Sequence, residues 1–163
     1  MRSYWSMDAL SRSPKYSWSS TLWNLPPLRA CTALTLLKVK LSTATDDEPD
    51  DSTRRQAARS AQAFDANVTL VRCAPPSVRT VVFRLEHVGA ASDAFFPTLR
   101  ALPWAELDDA LAVISGLETV MCVARRSELL ARSAEYGRTL EEFLPRMRGE
   151  GKLRIIVGDS KKE

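Results

Sequence analysis

A catalytic reading of this chain would have to begin at His87, its single histidine. His87 follows Glu86 just past a β-branched run, and strand ends are places where a general base can be presented. Cys122 and Ser127 are the nucleophiles such a base would serve. No spacing ties either of them to His87, and no G-x-S-x-G elbow is present. His87 therefore reads as a surface or loop histidine. Asp108 and Asp109 form a carboxylate pair in sequence, but they lie towards the N-terminal end of a helical pattern, where acids favour the helix dipole. The run DDEPDD, residues 46–51, is dense in acid yet lacks the glycine and terminal glutamate of an EF-hand. The six glycines form neither a Walker loop nor a dinucleotide fingerprint. No catalytic residue, cofactor-binding residue or metal ligand is nominated, and no cofactor is expected.

Composition narrows the classes further. The chain has 163 residues, enough for one domain. A hydrophobic fraction of 45% with 26% charged residues is that of a soluble globular protein. A net charge of +3 with arginines dispersed among glutamates gives no basic stripe for nucleic acid. No apolar run approaches the ~18 residues of a membrane span. Cys31, Cys73 and Cys122 are an odd count without a C-x-x-C pair, which argues for reduced, apolar-packed thiols and a cytoplasmic or nuclear setting. Residues 1–27 are serine-rich, with Tyr4, Trp5, Tyr16, Trp18 and Trp23 among basic residues. No periodicity supports base stacking or a presequence there, so an irregular or disordered leader is expected.

The elements that must position any site follow from apolar spacing. Residues 43–55, TATDDEPDDSTRR, cannot bury a face and read as an acidic loop. Phe64, Val68 and Val71 fall at i, i+4 and i+7 and predict a helix from Gln56 to Ala74, ended by Pro75 and Pro76. Val78–Leu85 reads as a strand. The next stretch, residues 86–103, reads as a loop with buried aromatics. Trp104, Leu107, Leu111 and Ile114 predict a second helix, stopped at Gly116, and Leu117–Ala124 a second strand. A helical pattern from Ser127 is expected to close at Gly137. Thr139 and Glu142 then read as a capping box for a helix lined by Leu140, Phe143, Leu144 and Met147, with Pro145 shortening it. Leu153–Val157 is a last strand, followed by a polar tail, residues 158–163.

A frame recurs through these strands. Leu34, Leu37 and Val39 fit L-x-x-L-x-L; so do Val78, Val81 and Phe83, and then Leu117, Val120 and Cys122. LRIIV keeps the apolar strand without the full frame. One helix–strand unit cannot bury its own apolar face, but stacked units can. The expected architecture is α/β: a short solenoid-like stack of helix–strand units with a small parallel sheet, behind the irregular leader. The repeat period is longer than the roughly 20–29 residues of standard leucine-rich repeats. A small α/β domain whose strands happen to fit the frame is the competing reading.

Two segments then resemble a known family. Trp104, Leu107, Asp108 and Leu111 lead into Leu117 and Val120; later Leu144, Pro145, Met147, Gly151 and Leu153 precede the last strand. This resembles the C-terminal end of fungal F-box proteins with degenerate leucine-rich repeats, and the likeness spans roughly residues 28–157. The resemblance implies a non-enzymatic protein-interaction role of substrate-recognition type, with an unknown protein partner along the sheet face or the loops after the strands. Arg79, Arg84, Glu86 and Glu118 are the candidate partner-binding residues. The L-P-x-E opening of an F-box is not evident, so binding to a ubiquitin-ligase adaptor is not expected. A truncated or decayed paralogue without selected function is an alternative. So, less favoured, is a small α/β ligand-binding domain or enzyme using His87 and the Arg125–Arg126–Ser127 turn.

Overall fold

A computed structural model describes residues 3–6, 28, 30–44, 52–88, 92–124 and 132–158. In chain order the elements are β1 (Ser3–Ser6), β2 (Leu34–Ala44), α1 (Ser52–Arg72), β3 (Thr80–Val88), α2 (Ser92–Arg100) and α3 (Trp104–Ala112). β4 (Thr119–Ala124), α4 (Ser133–Phe143), α5 (Pro145–Gly149) and β5 (Leu153–Val157) complete the chain. The fold is mixed α/β with a small parallel sheet. β2, β3, β4 and β5 lie side by side in sequence order, and β1 pairs with the outer edge of β2.

The recurring frame sets the sheet register. Leu37, Val81 and Val120 are in-register neighbours, and so are Val39, Phe83 and Cys122; β5 continues the rows with Leu153 and Ile155. The leading frame residues Leu34, Val78 and Leu117 are also buried. Strand side chains alternate between faces, so the second and third residues of each frame share one face, while Val78 and Leu117 precede their strands. The helices supply the rest of that core: Phe64, Val68 and Val71 from α1, Leu107 and Leu111 from α3, and Tyr136 and Leu140 from α4. Ser77 Oγ donates to the Leu34 carbonyl at 2.9 Å and ties the turn before β3 to the start of β2.

β1 is a strand within the stretch expected to be an irregular or disordered leader; the rest of residues 1–27 lies outside the described residues. Several boundaries also differ from those the residue pattern suggests. The acidic loop is shorter: Thr43 and Ala44 extend β2, and α1 starts at Ser52. Residues 45–51, which carry the acidic run, lie outside the described residues. Acids immediately before a helix start in sequence favour that start electrostatically. Residues 92–100 are a helix rather than loop, despite Pro97 within it. Phe96 and Leu99 on one side of it are buried, and this apolar packing offsets the hydrogen bond that the proline removes. Arg132 stacks its guanidinium 4.4 Å from the Phe96 ring centroid. Gly137 does not close a helix; it lies inside α4, and Thr139 is a buried mid-helix residue rather than an N-cap. Tyr136, Leu140 and Leu144 recur at four-residue spacing and are fully buried, which outweighs the glycine penalty of about 1 kcal/mol. Pro145 does end α4, because the preceding Leu144 is held extended at φ −121° and the proline opens α5.

Two glycines have specific duties. Gly151 sits at φ +70° after α5. Its N–H reaches the Arg148 carbonyl and the Lys152 N–H the Met147 carbonyl, both at 2.9 Å, the paired bonds of a Schellman cap. Gly116 lies where a Cβ would collide with the backbone carbonyl of Pro76. That oxygen belongs to a rigid turn and cannot swing away. Gly116→Ala is expected to lower stability by about 1–3 kcal/mol, measurable as a reduced urea midpoint. An unchanged midpoint would mean the two turns are not in contact.

Candidate interaction face

The helix layer covers one side of the sheet and leaves a second set of strand positions more exposed. In β4 the alternation is strict: Val120, Cys122 and Ala124 are buried, while Thr119, Met121 and Val123 are half-buried. Register extends that second set across the sheet. One row runs Lys38, Val82, Met121, Arg154; the next runs Lys40, Arg84, Val123, Ile156; Leu36, Thr80 and Thr119 form a third. Val82, in the centre, is buried, while Arg154 and Ile156, at the β5 end, are exposed. The charged side chains in these rows, Lys38, Lys40, Arg84 and Arg154, are all basic, and they surround an apolar centre. Asn67 of α1, itself buried, donates from Nδ2 to the Lys40 carbonyl at 3.0 Å and ties the helix layer to β2.

The nominated residues fall into different places. Arg84 lies on the face, half-exposed between Lys40 and Val123. Arg79 and Glu118 are not strand residues; they immediately precede β3 and β4. They meet as an exposed ion pair at 3.1 Å, and the Arg79 carbonyl accepts the N–H groups of Glu118 and Thr119. Such an exposed pair contributes at most about 1 kcal/mol. Glu86 belongs to β3 beside Ser42, but its side chain lies outside the described residues. Lys38, Lys40 and Arg154 were not singled out from sequence. The signal for them was the alternation of polar and apolar residues in KVK and LRI, read against the register.

The groups considered for catalysis are differently used. His87 is within β3, in register with Thr43, rather than beyond the strand end. Ser127 and the Arg125–Arg126 turn lie outside the described residues. Cys122 is fully buried on the helix-covered side of β4, and desolvation pushes its thiol up to about 12. A thiol so placed has almost no thiolate at neutral pH and is not a nucleophile. Burial, and then the neighbouring Cys122, likewise push the Tyr136 phenol well above its ordinary range.

Asp108 and Asp109 are not an acid–base pair, nor do they serve their own helix. Asp108 is buried in α3, and its carboxylate accepts the N–H of Arg146 at 3.0 Å and of Met147 at 3.4 Å. These are the second and third residues of α5, the donors that an N-cap side chain ordinarily satisfies. Leu144 at the N-cap position has no oxygen to offer, so a carboxylate 38 residues earlier caps the helix. Asp109 instead pairs with the exposed Arg146 guanidinium at 2.7 Å. Beside them a shallow, open groove of about 580 Å³ is lined by Arg100, Trp104, Glu142 and Phe143.

Trp104 anchors this side of the core. Its Nε1 donates to the Leu99 carbonyl at 2.6 Å, its ring meets Phe64 edge-on and stacks on Phe143, both with centroids 5.1 Å apart. Among the described residues no group of three potential ligands could hold a metal ion, and no helix is long and apolar enough to cross a membrane. None of the three cysteines is in a disulfide. Comparison of the chain with protein-family models, with curated proteins and with solved structures gave no match.

Proposed function

We propose that this chain is a non-enzymatic protein-interaction module of the F-box/leucine-rich-repeat type, a short solenoid of helix–strand units. In this reading it holds an acidic protein segment along the sheet face opposite the helix layer. The observation that carries the reading is the arrangement of Lys38, Lys40, Arg84 and Arg154 around Val82, Met121, Val123 and Ile156. An apolar centre with a charged surround is how protein interfaces are commonly built. The positive charge of these four residues favours an acidic partner and speeds its encounter.

Binding of an extended Asp/Glu-rich peptide with interspersed apolar residues, measured by fluorescence anisotropy, tests this. The affinity is expected to fall as salt rises. The double reversal Lys40→Glu with Arg84→Glu is expected to weaken binding at least about tenfold, with circular dichroism checking that the variant keeps its fold. Arg79→Glu, outside the face, is expected to have little effect. Affinity indifferent to the double reversal, or a lysine-rich peptide binding equally well, would defeat the reading.

A further inference from the structure

The sheet ends at β5, and the direction of its outer hydrogen-bonding groups can be read from two bonds. The Val120 N–H donates to the Lys152 carbonyl at 2.9 Å, and the Gly158 N–H donates to the Ala124 carbonyl at 3.1 Å. Alternate residues of a parallel strand bond to the same neighbour, so Arg154 and Ile156 also face β4. The backbone N–H and C=O groups of Leu153, Ile155 and Val157 therefore point outward, and among the described residues no strand lies beyond them. The side chains of the same three residues belong to the core side, yet they are only half-buried. Their β4 neighbours Val120, Cys122 and Ala124 are fully buried. Ile156, on the other face, is 43% exposed.

We propose that β5 pairs, antiparallel, with β5 of a second copy of this chain about a two-fold axis at Ile155. That axis sets Ile155 against its own counterpart and Leu153 against the partner's Val157. Every such position is one whose N–H and C=O point outward, so the pairs are hydrogen-bonded, and all are apolar on the core side. On the other face Arg154 lies opposite the partner's Ile156, so no like charges stand directly opposed. The strand is thus self-complementary in backbone phase and in side-chain pattern, as a two-fold interface requires. A peptide of other sequence would meet the same backbone groups without the matched apolar row. Five residues bury less than the roughly 1,000 Å² of a stable specific interface, so the dimer is weak and concentration-dependent. The proposal does not rest on the acidic-partner reading.

Sedimentation equilibrium of the full chain, from micromolar to millimolar concentration, is the test. A reversible monomer–dimer equilibrium is expected. Ile156→Lys, at a position already exposed, places a lysine opposite the partner's Arg154 twice per dimer and should raise the dissociation constant about tenfold or more. Ile155→Pro removes an outward N–H without touching the ladder to β4 and should leave the chain monomeric. If circular dichroism shows that the proline variant is unfolded, Ile156→Lys alone decides. A wild-type chain that stays monomeric throughout overturns the proposal. So does a dimer whose dissociation constant Ile156→Lys leaves unchanged.

Discussion

Replacing Trp104 by alanine is expected to lower the unfolding free energy by about 3–5 kcal/mol. For a domain whose total stability is of order 5–15 kcal/mol, that is a large share, and the thermal midpoint should fall by roughly 10 °C. The loss has three sources. The indole is 3% exposed, so its apolar surface leaves a cavity between α1, α3 and α4. The edge contact with Phe64 and the stack on Phe143 disappear together. The Leu99 carbonyl loses its indole donor. Trp104→Phe separates these contributions: it keeps an aromatic ring and removes the N–H, and should cost about 1–2 kcal/mol. Urea titration checks both variants, with the slope unchanged if the transition stays two-state. A loss below about 1 kcal/mol for the alanine variant would mean that Trp104 is not the packing centre of the helix layer.

Asp108→Ala is the second large effect, expected at about 1–3 kcal/mol, because it strands the N–H groups of Arg146 and Met147 at the partly buried start of α5. Asp108→Asn keeps an acceptor oxygen and should recover part of the loss. The neighbouring position supplies the contrast. Asp109 holds only an exposed ion pair with Arg146, so Asp109→Ala should change stability by less than about 1 kcal/mol. Amide hydrogen exchange gives a local readout: the Asp108 variant should lose protection at Arg146 and Met147 before the strands do. Equal effects at the two aspartates would rule out the capping role, since both substitutions remove one charge from the same helix.

The difference between the two aspartates marks how far the residues alone could lead. Both carry the same charge at adjacent positions, and from sequence both suit the dipole of their own helix. Their separate duties depend on where α5 docks, which is set by the packing of Leu140, Leu144 and Met147 many residues later. Gly137 shows the converse. A local rule marks it as a helix end, but burial of Tyr136 on one side and Leu140 on the other carries the helix through it. The candidate face is intermediate. Arg84 was legible as an outward strand residue, whereas Arg79 and Glu118 fall just outside the strands and consume each other's charge.

The sequence by itself marked β2 to β5 and their apolar side, but not β1, which lies in the stretch read as an irregular leader. The frame Leu34–Leu37–Val39, Val78–Val81–Phe83 and Leu117–Val120–Cys122 becomes two rows of in-register neighbours. It could do so because alternation along a strand and repetition between units are local properties, written in consecutive residues. The tertiary structure alone decided which carboxylate caps α5, that residues 92–100 wind into a helix, and that four basic side chains from three separate strands share one face. Each of those outcomes depends on groups far apart in sequence, brought together only when the apolar rows close against the helices.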